Sequence, residues 1–297
     1  MDDATLSTLR TTAGALFDVA FAAMVGALAT PALLRDASSG WAARRSRRCR
    51  GLFALAGVVA LVASLAWMAI EAIALTEVPP VEALGEVGGL VAGTAFGRAW
   101  ATATLALVAA LVLAAAFRYR ALPTRGLALT LVIVAVAHAC AGHAGANGIG
   151  WLVPTMAVHA LATGLWAGSV FAAALTVLRG APDQIDVARY AGKLSSLATA
   201  ALAAVAVTGA ASAWHGLGGS LAPLAPVGTA SWGGLLDAKL ALVALAVALG
   251  GVNRFVVMPT LPASWPRFAR VLRVESVVLC AVLVAAAWLA NGEPPAI

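Results

Sequence analysis

GLALTLVIVAVAHACAGHAGANGIGWLVPTMAVHALATGLWAGSVFAAALTVL, residues 126–178, contains no Asp, Glu, Lys or Arg. Two apolar runs, 126–143 and 151–178, flank a short link rich in glycine with one asparagine. A bilayer core takes roughly 20 apolar residues per helix, so runs of this length read as membrane spans. Lipid satisfies no backbone hydrogen bonds, and the strict alternation of a membrane barrel is absent. Both runs are therefore expected to be helices. What sets them apart is their cargo of soft side chains: His138, Cys140 and His143 in the first, Met156, His159 and Trp166 in the second.

The rest of the chain has the same character. Charged residues make up 11% of the 297, against about 25% in a soluble domain, and the mean hydropathy is +0.95. The pattern predicts an all-α polytopic membrane protein, a single membrane domain over 1–297 built as a bundle of eight transmembrane helices. The expected spans are 8–34, 51–76, 100–117, 126–143, 151–178, 190–214, 232–258 and 271–290. Asp2 and Asp3 stand where a cleaved signal would carry a basic region, so the first span reads as a retained helix. Cys49, Cys140 and Cys280 are too few and too scattered for a disulfide framework.

Charge orients the bundle. Sixteen of the nineteen basic residues fall in alternate links: Arg35 to Arg50, Arg118 to Arg125, Arg179 to Lys193, and Arg254 to Arg273. Basic links face the cytoplasm, which places both termini on the periplasmic side of a bacterial inner membrane. The net charge of +6 thus records topology and contact with anionic lipid. No nucleic-acid partner is expected, because no folded nucleic-acid module is visible. The acidic link from Glu77 to Arg98 contains Pro79-Pro80, which argues against a helix there.

Topology puts all four histidines in the outer half. His143 lies at the outer mouth of the fourth span, and His138 about 7.5 Å deeper. His159 lies roughly 12 Å below the outer end of the fifth span. His215 follows Trp214 at the outer end of the sixth. Met156 and His159 share a helix face, as do Cys140 and His143, whereas His138 and His143 differ by about 140°. Imidazole with thioether or thiolate suits copper, Cu(I) in particular. His143 and His159 are the preferred ligands, with Met156 and Cys140 as soft neighbours. His138 and His215 are further metal candidates resting on depth alone, and interfacial-belt chemistry is the other reading of His215 beside Trp214. Embedded charges add Asp18, Glu71 and Lys239, since an ionisable side chain inside a membrane is costly. Asp18 and Lys239 are expected to pair, Glu71 to line a vestibule or snorkel, and Glu275 to be reached by Arg254 or Arg273.

The second half resembles the CopD copper-resistance family of bacterial inner-membrane proteins. The matching pieces are Gly142-His143-Ala144, His159-Ala-Leu-Ala-Thr-Gly164-Leu-Trp166-Ala-Gly168 and Thr208-Gly209. They continue with Trp232 to Leu240, Asn253-Arg254-Phe255, Arg273-Val-Glu275 and Pro294-Pro295. They run in the family's order over 136–295; Trp232 stands where the family often has Tyr. The N-terminal half resembles the family only in having about four helices. The resemblance implies copper handling, either copper ion transport across the inner membrane, with uptake from the periplasm, or work with a periplasmic CopC-type copper-binding partner. It carries over His143 and His159. Gly164, Gly168 and Gly209 are expected to let helices approach closely. No hydrolytic motif or nucleotide loop is visible, so the chain reads as a copper transporter and resistance protein, not an enzyme. Two alternatives stand beside transport. One is a b-type haem protein in electron transfer, because histidines on several helices can ligate haem iron. The other is a non-transporting membrane partner of a copper chaperone.

Overall fold

The structure, a computed structural model, describes residues 2–35, 37, 39–76, 78–117, 123–142, 145, 150–178, 184–216 and 232–291. Every regular element among the described residues is helical. The helices are α1 (Asp3–Leu33), α2 (Ser39–Thr76), α3 (Pro80–Gly93), α4 (Ala95–Ala116), α5 (Thr124–Ala141), α6 (Leu152–Val177), α7 (Gln184–Gly216), α8 (Trp232–Val252) and α9 (Trp265–Asn291). Eight of them, all but α3, are long and apolar enough to cross a membrane. The protein is a multi-pass helical membrane protein, as the hydropathy pattern predicts.

Several boundaries differ from the sequence expectation. The second span starts at Ser39, so the arginine-rich link up to Arg50 is itself helical and continues α2. At 38 residues and 1.5 Å per residue, α2 is about 57 Å long, well beyond the bilayer core. The sixth span likewise starts at Gln184 and takes Arg189 and Lys193 into α7. The fourth ends at Ala141, and His143 lies outside the described residues.

The acidic link contradicts the expectation of a helix-free connection. Pro80–Gly93 is helical, with Pro80 in its first turn and Pro79 as extended N-cap. Proline is tolerated there because that N–H has no intrahelical acceptor to lose. Glu82 and Ala83 donate to Pro79 O at 2.9 and 3.0 Å. Val81 and Leu84 stay exposed beside Glu82 and Glu86, as in a helix lying in the membrane interface. α3 then turns onto α4, whose N-cap Thr94 accepts from Gly97 N at 2.8 Å.

α1 and α6 form the centre of the bundle. Residues 20–27 of α1 are all buried, and α6 is the most buried of the spans. Between lipid-like surfaces there is no hydrophobic drive to pair, so close packing of small residues sets the contacts. Gly26 and Gly168 meet backbone to backbone, and Gly168 also abuts Ala22 O. At Gly164 an added Cβ would lie 2.8 Å from Val25 Cβ. This crossing coincides with a π turn, Gly164–Gly168, and a second π turn follows at Ala173–Val177. A third, Asn253–Val257, extends α8. Such wider turns are uncommon and often mark functional positions.

Candidate metal centre

His159 sits on α6 just before the first π turn. Its Nδ1 lies 2.9 Å from Thr208 Oγ1 on α7. The threonine hydroxyl has one proton, and it is directed to Ala204 O at 2.6 Å. Thr208 therefore accepts, and His159 donates from Nδ1. In the neutral ring this leaves Nε2 unprotonated. A histidine held through one ring nitrogen by a polar partner, with the other lone pair available, is the usual form of a metal ligand. Gly209 makes room for the ring: a Cβ there would lie 3.3 Å from His159 Cε1.

Thr163 follows His159 by one turn on the same face. Its Oγ1 is buried and has no hydrogen-bond partner. Met156 precedes His159 by three residues and is half-buried. Met156, His159 and Thr163 thus form a stripe on α6 leading toward the Gly164–Gly168 turn. Trp166 lies within that turn, 4% exposed, and its carbonyl accepts from Ser169 Oγ at 3.0 Å.

Charge surrounds the same region. Lys239 on α8 lies within electrostatic range of both His159 and Asp18 on α1. The expected Asp18–Lys239 pairing takes a looser form than a contact ion pair, because no 4 Å bridge joins them.

The other candidates lie apart from this stripe. His138 is packed between Phe17, at 4.4 Å and 16°, and Trp67, at 5.3 Å and 53°. Cys140, two residues on, is exposed, roughly 200° around the helix from His138. His215 meets the ring of Trp151 edge-on at 5.8 Å, which ties the end of α7 to the start of α6. Glu71 has partners that the sequence reading did not name. Arg10 holds it, with Nε 2.7 Å from Oε1 and Nη2 3.0 Å from Oε2, and Trp67 Nε1 donates to it at 3.0 Å. Among the described residues no group of three or more His, Cys, Asp or Glu side chains converges as a metal site. His143 falls outside that comparison.

Sequence reasoning also missed partners. Arg10 was left over from the charge pattern, yet it and Glu71 both fall at the end opposite the arginine-rich links, which was the available signal. Glu275 is not reached by Arg254 or Arg273. Arg254 instead donates to Thr199 at 2.9 Å and Ser195 at 3.2 Å on α7. Glu275, 4% exposed, presses its carboxylate toward Gly250, whose Cβ position lies 3.4 Å from Oε1. One turn along α8, the Asn253 amide is buried with neither atom hydrogen-bonded.

A bundle of membrane helices with a histidine oriented between two of them defines the class; sequence comparison defines the family. Residues 1–153 match the family model for the copper resistance protein D-like N-terminal domain, and residues 188–289 match that for copper resistance protein D. The chain belongs to the CopD copper-resistance family and has a role in copper resistance. The N-terminal half carries the family's pattern too, beyond the helix count that the sequence reading credited to it. His138, Cys140 and His143 fall within the N-terminal match, and Met156, His159 and Trp166 fall between the two matches. No curated protein and no solved structure matches the chain.

Proposed function

We propose that this protein carries copper across a bacterial inner membrane, taking it up from the periplasmic face. The observation that carries the reading is His159 itself. Its Nδ1–H is committed to Thr208, so Nε2 presents a lone pair at the α6–α7 contact, in a chain whose family serves copper resistance. His143, which follows the end of α5 by two residues in the sequence and lies outside the described residues, is the candidate for the second imidazole, and Met156 for a thioether on the His159 face. Two imidazoles and a thioether favour Cu(I). Thr163 and the π turn beyond it continue the stripe inward. The charge pattern puts this mouth on the side opposite the arginine-rich links, the periplasmic one, where a CopC-type protein would deliver the ion.

The test is the His143→Ala/His159→Ala double variant. Metal content of the purified protein should fall from stoichiometric copper to background, and copper accumulation in expressing cells should fall with it. Unchanged copper content and accumulation would falsify the proposal. Copper bound at full occupancy by wild-type protein without flux in vesicles would instead assign the non-transporting role. A red preparation with a Soret band would assign haem.

A further inference from the structure

At the arginine-bearing end of the bundle, far from His159, buried polar side chains of α2, α6 and α7 come together. Trp41 and Arg45 come from the first turns of α2, Thr176 from the second π turn of α6, and Tyr190 from the start of α7. All are deeply buried: Arg45 is 5% exposed, Trp41 3%, Thr176 4% and Tyr190 1%. The Arg45 guanidinium carbon lies 5.9 Å from the Trp41 ring centroid. Trp41 meets Tyr190 edge-on at 6.2 Å. Arg45 Nη1 reaches Thr176 O at 3.5 Å, and Cys49 Sγ lies 3.3 Å from Thr176 Oγ1.

Three polar atoms in this cluster are buried and have no hydrogen-bond partner: Arg45 Nε, Trp41 Nε1 and Tyr190 Oη. Each carries an N–H or O–H, so the unmet demand is for acceptors. No carboxylate among the described residues forms an ion pair with Arg45. Its charged neighbours Arg44 and Arg48 are of like sign. A buried guanidinium without a counter-charge is strongly unfavourable. The cluster therefore has the donor set, the charge and the desolvation of an oxyanion site.

We propose that Arg45, Trp41 and Tyr190 bind a phosphate oxyanion that bridges α2, α6 and α7. The phosphate of an anionic phospholipid headgroup and free inorganic phosphate share this chemistry. The site lies where the basic α2 extension leaves the bilayer, and anionic lipid gathers against such segments.

Thermal unfolding of the purified full-length protein in phosphate-free detergent decides it. Phosphatidylglycerol, phosphatidylcholine and inorganic phosphate are titrated separately. A ligand that binds the folded state raises the midpoint with concentration. We expect a saturable rise with phosphatidylglycerol or with inorganic phosphate, and a smaller one with phosphatidylcholine. A response to phosphatidylglycerol alone assigns a lipid; a response to inorganic phosphate assigns a free anion. Arg45→Gln should weaken binding by about tenfold or more. Tyr190→Phe, which removes one hydroxyl and keeps the packing, should weaken it by a smaller factor and serves where Arg45→Gln does not fold. Absence of any saturable rise in wild type, or Tyr190→Phe responding as wild type does, overturns the proposal in favour of ordered water at these donors.

Discussion

At the scale of single residues, His159 shows how one hydroxyl orients an imidazole. Thr208 is an acceptor toward His159 only because its own proton is spent on Ala204 O. Thr208→Val keeps the shape and removes that acceptor. Copper affinity should drop by about 10- to 100-fold, the usual effect of losing the hydrogen bond behind a ligating histidine. Thr208→Ser should restore it. Competition with a chromogenic Cu(I) chelator measures both, and equal affinity for Thr208→Val and wild type would dissociate Thr208 from the site. Binding should also weaken on acidification, because protonation of Nε2 competes with the metal. Thr208-Gly209 stood out in the sequence as a family piece, but its pairing with His159 was not legible along the chain. Thr208 is 49 positions from His159, and a threonine in a membrane helix usually bonds its own preceding turn. His159 itself was legible, because an imidazole in an apolar run stands out by cost.

At the scale of elements, the α1–α6 crossing governs the bundle. Gly168 and Gly164 were readable as packing positions from their spacing on one helix. Their partner Gly26 was not, since Gly14 and Gly26 lie twelve residues apart in an alanine-rich helix and no pattern marks either one. Gly26→Ala or Gly168→Ala would drive a methyl into opposing backbone, which cannot swing aside as a flexible side chain does. Either change should cost about 2 kcal/mol or more and lower the thermal midpoint in detergent. Gly192→Ala is the control, because its added Cβ meets nothing within 4 Å and alanine favours the helix. If all three variants melt with wild type, the crossing is not what holds α1 in place. The helix at Pro80–Gly93 carries a different lesson. Pro79-Pro80 was read as a helix breaker, but a proline in the first turn ends nothing; it begins a helix whose remaining residues are free to form it.

At the scale of the whole molecule, charge alternation and the position of the histidines make one joint claim. Reporter fusions after residues 50, 120 and 190 should behave as cytoplasmic, and fusions after 78, 145 and the C-terminus as periplasmic. The inverted pattern would place His159 at the cytoplasmic mouth and sink uptake from the periplasm as the direction of transport. The same arrangement gives the molecule two polar ends of unlike chemistry. One has imidazoles and the Arg10–Glu71–Trp67 network; the other has the Arg45 cluster and, between α8 and α9, the buried Asn253 and Glu275.

What the sequence by itself determined is whatever depends on short-range pattern. Eight spans follow from the length of apolar runs, and their helicity from the absence of water to pair the backbone. The family likeness was legible in the same local way, as short motifs in order. Tertiary structure decided which polar groups meet. It paired Glu71 with Arg10, left Asp18 and Lys239 in range but apart, took Arg254 from Glu275 to Thr199, and buried Arg45 where a surface anchor was expected. The physical reason is that hydropathy is a property of each segment against lipid and is additive along the chain. A hydrogen bond or ion pair depends on the rotation and crossing of two helices, and backbone contacts such as Gly26 against Gly168 set those.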